Sequence, residues 1–134
     1  MRYSKKEKLS LLSDMISVAK SDNELKYEEL NFIKSVAKSL EVSNYDLEQI
    51  MKTPAENVVF SSESERILQF HRLLLVVVID QKTTQNEIIS LKNFGLKMGL
   101  PSLAIDEVFT VINDYPKKLI PPTDLIEIFK KYYN

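Results

Sequence analysis

Apolar residues recur at spacings of three and four along almost the whole chain, and this periodicity is the feature that most restricts its fold. Such spacing places apolar side chains on one face of an amphipathic helix. The first such stripe consists of Leu9, Leu12, Met15, Ile16 and Ala19. A second stripe lies between Leu30 and Leu40. The sequence therefore predicts an all-α fold, a bundle of about seven helices.

Cap residues predict where several of these helices begin and end. Ser43 precedes a short helix as its N-cap, and Thr123 is expected to cap the last helix. Gly99 suits the left-handed position after a helix. Two pairs have the spacing of a capping box, namely Ser62 with Glu65 and Thr84 with Glu87. Between these boxes, residues 67–79 are apolar nearly all round, which favours a central buried helix over a strand.

The chain also repeats itself at an offset of 58 residues, which aligns residues 9–52 with residues 67–110 and superposes their apolar positions. Each half has an aspartate at the end of its first helix and a glutamate seven residues later. Four aligned pairs are identical: Val18 with Val76, Asp22 with Asp80, Glu29 with Glu87, and Lys34 with Lys92. We predict one domain over residues 1–134, with repeat units at about 5–52 and 64–113, a linker at 53–63, and a C-terminal helix at about 123–133.

Composition excludes several classes of site. The chain has no cysteine, so it forms neither disulfides nor thiolate zinc sites and has no cysteine nucleophile. Its two glycines are too few for a phosphate-binding loop of the nucleotide-binding type. The one histidine, His71, has no second histidine with which to bind zinc and is interpreted as a core or boundary residue. We therefore expect no enzymatic activity.

The net charge of −1 conceals an uneven distribution. Residues 21–65 carry four basic and ten acidic side chains, which favours a cation or a basic protein as partner. No segment has the concentrated basic character of a nucleic-acid binder. The longest apolar run, residues 73–79, is about a third of a bilayer span. We expect a soluble, cytoplasmic protein without a transmembrane segment.

The segment MISVAKSDNELKYEEL, residues 15–30, resembles the signature of the TerB-like, tellurite-resistance-associated domain. That signature has small residues at the end of a helix, Asp-Gly, an apolar loop residue, and a glutamate that opens the next helix. Here Asn23 stands at the glycine position. In the second half Gln81 stands there, and Thr83 replaces the apolar loop residue.

The resemblance implies an all-helical, non-enzymatic module of the stress response whose shared acids form a charged surface or a cation site. The candidate ligands of a divalent cation are Asp22 and Glu29, with Asp80 and Glu87 as the equivalent pair. A structural interpretation competes, because aspartates accept hydrogen bonds in tight loops and glutamates favour the first turn of a helix. Docking of a protein partner is the third interpretation.

The tail beyond residue 118 lies outside the repeat and is apolar on more than one side. We predict that it packs across the bundle as a closing element. The alternative is that part of it forms a homodimer or partner surface, because exposed aromatic patches mark interfaces.

Overall fold

The computed structural model describes residues 3–133, and within that range it contains helices and no strand. The predicted all-α bundle of about seven helices is thereby confirmed. Two 3-10 turns, Ile112–Asp114 and Pro116–Lys118, precede the last helix. The helices are α1 (Lys5–Ala19), α2 (Tyr27–Ser39), α3 (Asn44–Lys52), α4 (Glu63–Val78), α5 (Gln85–Lys97), α6 (Ser102–Val111) and α7 (Pro122–Lys130).

The offset of 58 residues that relates the two halves of the sequence also relates their helices. Moved by that offset, α2 coincides with α5 at both ends, and α1 and α3 match α4 and α6 to within one residue. The backbone agrees as well, because Asn23 and Gln81 both have a positive φ, of 67° and 62°. Glu41 and Gly99 form a second equivalent pair with a positive φ, of 59° and 81°.

The first helices of the two halves, α1 and α4, pack against each other at the centre of the bundle. Both are buried along much of their length, and residues 76–78 continue α4 as helix. Gln69 of α4 donates a hydrogen bond from Nε2 to the carbonyl oxygen of Leu11, at 3.2 Å. These two residues are equivalent under the offset, so the halves meet through matching positions.

The segment between the halves, residues 53–62, is fastened to α1. Ser10 Oγ accepts a hydrogen bond from the Val58 amide at 2.8 Å, and Ser13 Oγ accepts one from the Ala55 amide at 3.0 Å. Phe60 is buried in the core. The predicted linker is therefore a strap with fixed hydrogen bonds.

Two predicted caps need correction. Ser62 accepts from the Glu65 amide, but the Glu65 carboxylate accepts from the Tyr3 hydroxyl, so the predicted capping box forms only by half. Thr123 lies inside α7, because Pro122 opens that helix at a position where a missing N–H costs nothing. The Ser43 and Thr84 caps form as predicted.

The tail closes the bundle. Helix α7 packs on α4 and α6, with Leu125 and Phe129 buried. The Phe129 ring meets the Phe70 ring of α4 edge to face, with centroids 5.6 Å apart. Among the helices of residues 3–133, none is long and apolar enough to cross a bilayer.

Candidate functional site

The four predicted acids of the two halves lie in one place. The α1–α2 loop carries Asp22 and leads to Glu29, and the α4–α5 loop carries Asp80 and leads to Glu87. Because the halves pack through equivalent positions, these loops come together at one end of the bundle. We call Asp22, Lys26, Glu29, Asp80 and Glu87 the carboxylate cluster. The sequence predicted two equivalent pairs, and the structure joins them through the ammonium of Lys26.

Both aspartates shape their own loops. Asp22 Oδ1 accepts a hydrogen bond from the Glu24 amide at 3.2 Å, and Asp80 Oδ1 accepts one from the Lys82 amide at 2.9 Å. These bonds across two residues form an Asx turn in each loop. The structural role predicted for the aspartates therefore exists, and it uses only one oxygen of each carboxylate.

The two glutamates are fully buried in the first turns of α2 and α5. Glu87 Oε1 accepts from the Thr84 amide at 2.9 Å while Thr84 Oγ1 accepts from the Glu87 amide at 3.2 Å, which completes a capping box. Glu29 Oε1 accepts from the Lys26 amide at 3.4 Å. A lysine side chain has no acceptor with which to return that bond, so α2 has only half of the box.

Lys26 instead extends its ammonium into the cluster. Nζ donates to the Lys82 carbonyl oxygen at 3.0 Å, across the two loops. It lies 3.3 Å from Asp80 Oδ2, 3.7 Å from Glu87 Oε1 and 3.8 Å from Asp22 Oδ2. Sequence reasoning missed this residue. The signal available was its position, since a lysine at an N-cap, where Thr84 stands in the other half, has no capping function of its own.

Three carboxylate oxygens of the cluster are buried without a hydrogen-bond partner: Glu29 Oε2, Asp80 Oδ2 and Glu87 Oε2. Asp80 Oδ2 has its ion pair with Lys26. For the two glutamates, a proton on one carboxyl allows it to donate to the other. Buried like charges are commonly relieved in this way.

The pKa of Glu29 agrees with a shared proton. Burial, then the hydrogen bond and the negative charge of Glu87, raise the pKa of Glu29 from 4.5 to about 8, against the opposing effects of the Lys26 amide and ammonium. For Lys26, burial opposes the charge, but the contact with Asp80 and the charges of Glu87, Asp80 and Glu29 outweigh it and raise its pKa above 10.5. The cluster therefore contains the charged ammonium of Lys26 and, near neutral pH, a proton on Glu29.

The cluster's chemistry is that of cation binding. Its oxygens are the donors that hard divalent cations select. Within residues 3–133, no group of three or more His, Cys, Asp or Glu side chains has the arrangement of a metal site. In the cluster, Lys26 Nζ lies among the oxygens that such an ion would need.

His71 takes no part in this site. Its Nε2 lies 2.9 Å from the Ile120 carbonyl oxygen, and burial lowers the pKa of the imidazole. It therefore fixes the approach to α7, in agreement with its interpretation as a boundary residue.

One protein family is similar to the first half of the chain. Residues 1–52 match the family described as tellurite resistance protein TerB. The first three-helix unit therefore lies within the segment that is similar to TerB. Neither a curated protein nor a solved structure matches the chain.

The TerB match covers three members of the cluster, Asp22, Lys26 and Glu29, and ends before the other two. Asp80 and Glu87 occupy the equivalent positions of the second unit. Three of the five cluster residues thus lie in the segment that matches TerB, and two lie beyond it.

Proposed function

We propose that this chain is a non-enzymatic TerB-type interaction module of the stress response, which binds a basic protein partner in the cytoplasm. The observation that carries this proposal is the surface formed by the α1–α2 loop and the first turn of α2. Tyr27 is 74% exposed, and exposed Glu24 and Glu28 flank it. We call these three residues the acidic rim.

The chemistry of the rim supports a protein ligand. Tyrosine is enriched at protein interfaces because it buries a large area at a low cost in conformational entropy. Acidic neighbours attract a basic partner and suppress acidic ones. Lys26, directly before Tyr27, fixes the loop through its bond to Lys82, so the rim is positioned before binding. The stress-response setting comes from the TerB match.

The rim can be tested with a photo-crosslinking amino acid at position 27 in the native host. The control places the same amino acid at position 45, because Tyr45 is 69% exposed and lies on α3. We expect a discrete adduct at position 27, its loss in Glu24→Lys/Glu28→Lys, and no such adduct at position 45. An adduct that survives the charge reversal would contradict the proposal.

A growth assay adds the link to tellurite. A host that lacks this chain should regain tellurite tolerance with the wild-type chain and stay sensitive with Glu24→Lys/Glu28→Lys, provided that the variant accumulates to the wild-type level. Full rescue by the variant would remove the acidic rim from this function, and an unaffected deletion strain would remove the link to tellurite.

A second candidate function is divalent-cation binding by the carboxylate cluster. The specific observation in its favour is the set of unpartnered buried oxygens on Glu29, Asp80 and Glu87. Unsatisfied buried polar atoms are few in folded proteins and need an explanation. A cation that coordinates these oxygens would satisfy them in place of the Lys26 ammonium and of the proton that the two glutamates share.

Thermal denaturation with millimolar calcium, magnesium, manganese or zinc tests this candidate. A ligand that binds only the native state raises the midpoint, so we expect an increase in the wild-type chain and none in Asp22→Asn/Glu29→Gln. No shift with any ion, or equal shifts in both chains, would exclude the site.

A further inference from the structure

The ammonium of Lys26 lies among oxygen atoms of the kind that bind a hard cation. Four oxygens from four residues surround Nζ at 3.0 to 3.8 Å: Lys82 O, Asp80 Oδ2, Glu87 Oε1 and Asp22 Oδ2. Calcium takes carboxylate and backbone carbonyl oxygens at about 2.3–2.6 Å. The donors around Lys26 therefore have the right chemistry for such an ion, in a wider shell.

The cluster offers more oxygen than the ammonium uses. Nζ has three N–H groups. Two further carboxylate oxygens of the cluster, Glu29 Oε2 and Glu87 Oε2, are buried without a hydrogen-bond partner. Calcium binds six to eight oxygens. The surplus lies on side chains with no exposure to solvent, which distinguishes this cluster from a patch of surface acids.

Only one half of the molecule supplies the ammonium. At the position equivalent to Lys26, Thr84 uses its hydroxyl to cap α5 and carries no charge. The Lys26 side chain is 16% exposed, so part of it already contacts solvent. It can leave without any rearrangement of the Thr84 capping box.

We propose that Lys26 is a tethered cation that occupies a latent divalent-cation site, and that an ion binds only when the ammonium withdraws. This inference rests on the second candidate function for its class of ligand. It adds that Lys26 regulates ion binding, because the lysine ammonium and the ion compete for the same oxygens. When only a small fraction of the molecules is competent to bind the ion, the apparent Kd rises as the inverse of that fraction.

The test compares the wild-type chain with Lys26→Gln, which keeps a hydrogen-bond donor for the Lys82 carbonyl and removes the charge. Lys26→Arg keeps the charge and is the matched control. Manganese binding is followed by the loss of the electron paramagnetic resonance signal of free Mn²⁺, and calcium binding by its competition with manganese. We expect Lys26→Gln to bind at least about tenfold more tightly than the wild-type chain or Lys26→Arg, which corresponds to an ammonium in place about nine-tenths of the time.

A second pair of variants keeps the test valid if Lys26→Gln alone does not fold. Lys26→Gln/Glu29→Gln replaces two ionisable side chains of the cluster by amides and retains all four oxygens around the ammonium position. It should bind manganese at least about tenfold more tightly than Glu29→Gln.

The outcomes separate the tether from the cation site. Equal and tight binding in the wild-type chain and both lysine variants would support the cation site and overturn the tether. No binding in any variant would overturn both. Tight binding confined to the variants without the ammonium would support the tethered cation.

Discussion

The two inter-helix loops have matching backbones and differ at the residue that precedes the second helix. In the α4–α5 loop, Thr84 completes a capping box with Glu87, so the start of α5 is satisfied locally. In the α1–α2 loop, the Lys26 side chain cannot accept a hydrogen bond from the helix start. Its ammonium instead contacts the Lys82 carbonyl oxygen and acidic side chains of both halves.

The difference shows that a repeated backbone supports unequal side-chain roles. The second loop is complete in itself, whereas the first depends on the second for the partners of its ammonium. The two loops are alike in their glutamates, since Glu29 and Glu87 are both fully buried in the first turn of the helix that follows the loop. The asymmetry of one residue thus converts two similar loops into one joint site.

The halves differ also in what covers their first helices. The strap of residues 53–62 is hydrogen-bonded to α1, while α7 covers α4 through Phe129. Phe129→Ala should lower the free energy of unfolding by about 3–5 kcal/mol, because it leaves a large cavity against Phe70. Urea denaturation followed by circular dichroism measures this loss.

The matched control for that prediction is Tyr45→Ala, which truncates an aromatic ring that is 69% exposed. It should change stability by no more than about 0.5 kcal/mol. A loss below about 1 kcal/mol in Phe129→Ala would mean that α7 is peripheral to the core, and would return the tail to its alternative role as an interface.

The shared carboxyl pair gives a pH dependence. Because the folded-state pKa of Glu29 is raised from 4.5 to about 8, the folded chain holds a proton in that interval that the unfolded chain has released. The contribution of Glu29 to stability is therefore complete below pH 4.5, falls as the pH rises, and is lost above about 8. The slope is at most about 1.4 kcal/mol per pH unit.

Glu29→Gln isolates this effect, since glutamine keeps an oxygen for the Lys26 amide and has no proton to lose. Urea denaturation is measured from about pH 4 to about pH 9. The free energy of unfolding of Glu29→Gln should increase relative to that of the wild-type chain up to about pH 8, and the difference should stay constant at higher pH. Asp14, whose pKa is raised to about 6 chiefly by burial, contributes equally to both chains. A pH-independent difference would contradict the shared proton.

Much of the fold could be predicted because its signals are local. Apolar spacing identified the helices, and the Thr84–Glu87 spacing identified a cap that forms. The bounds of α7 were less predictable, since both Pro122 and Thr123 are suitable residues for a helix start and only the packing of the tail selects one.

The site was harder to predict because it depends on contacts between distant segments. The offset brought out Asp22, Glu29, Asp80 and Glu87 as equivalent residues, but no local pattern tells whether two equivalent loops touch. Lys26 differs from its counterpart Thr84, so it was not among the shared residues that the offset identified. Its role depends on the carbonyl of Lys82, which lies 56 residues further along the chain.

The smallest expected effect concerns the residues that end α2 and α5. Glu41 and Gly99 occupy equivalent left-handed positions, and the amides that follow them bond back to Ala37 and Gly95. A residue with a side chain is destabilised by about 1 kcal/mol in this left-handed conformation. Glu41→Gly should therefore raise the free energy of unfolding by about 0.5–1 kcal/mol, and Gly99→Ala should lower it by about 1 kcal/mol.

These two substitutions test the backbone alone. A Cβ at Gly99 would have no atom within 4 Å, so the expected loss comes from the positive φ and not from a clash. Ser35→Gly is the control, because Ser35 is exposed in the interior of α2 and glycine there costs about 0.5 kcal/mol. Urea denaturation should place the stability of Glu41→Gly above that of the wild-type chain and the stability of Ser35→Gly below it. If both glycine substitutions destabilise to the same extent, the repeated left-handed position carries no strain at Glu41, and the equivalence of the two helix ends is limited to their hydrogen bonds.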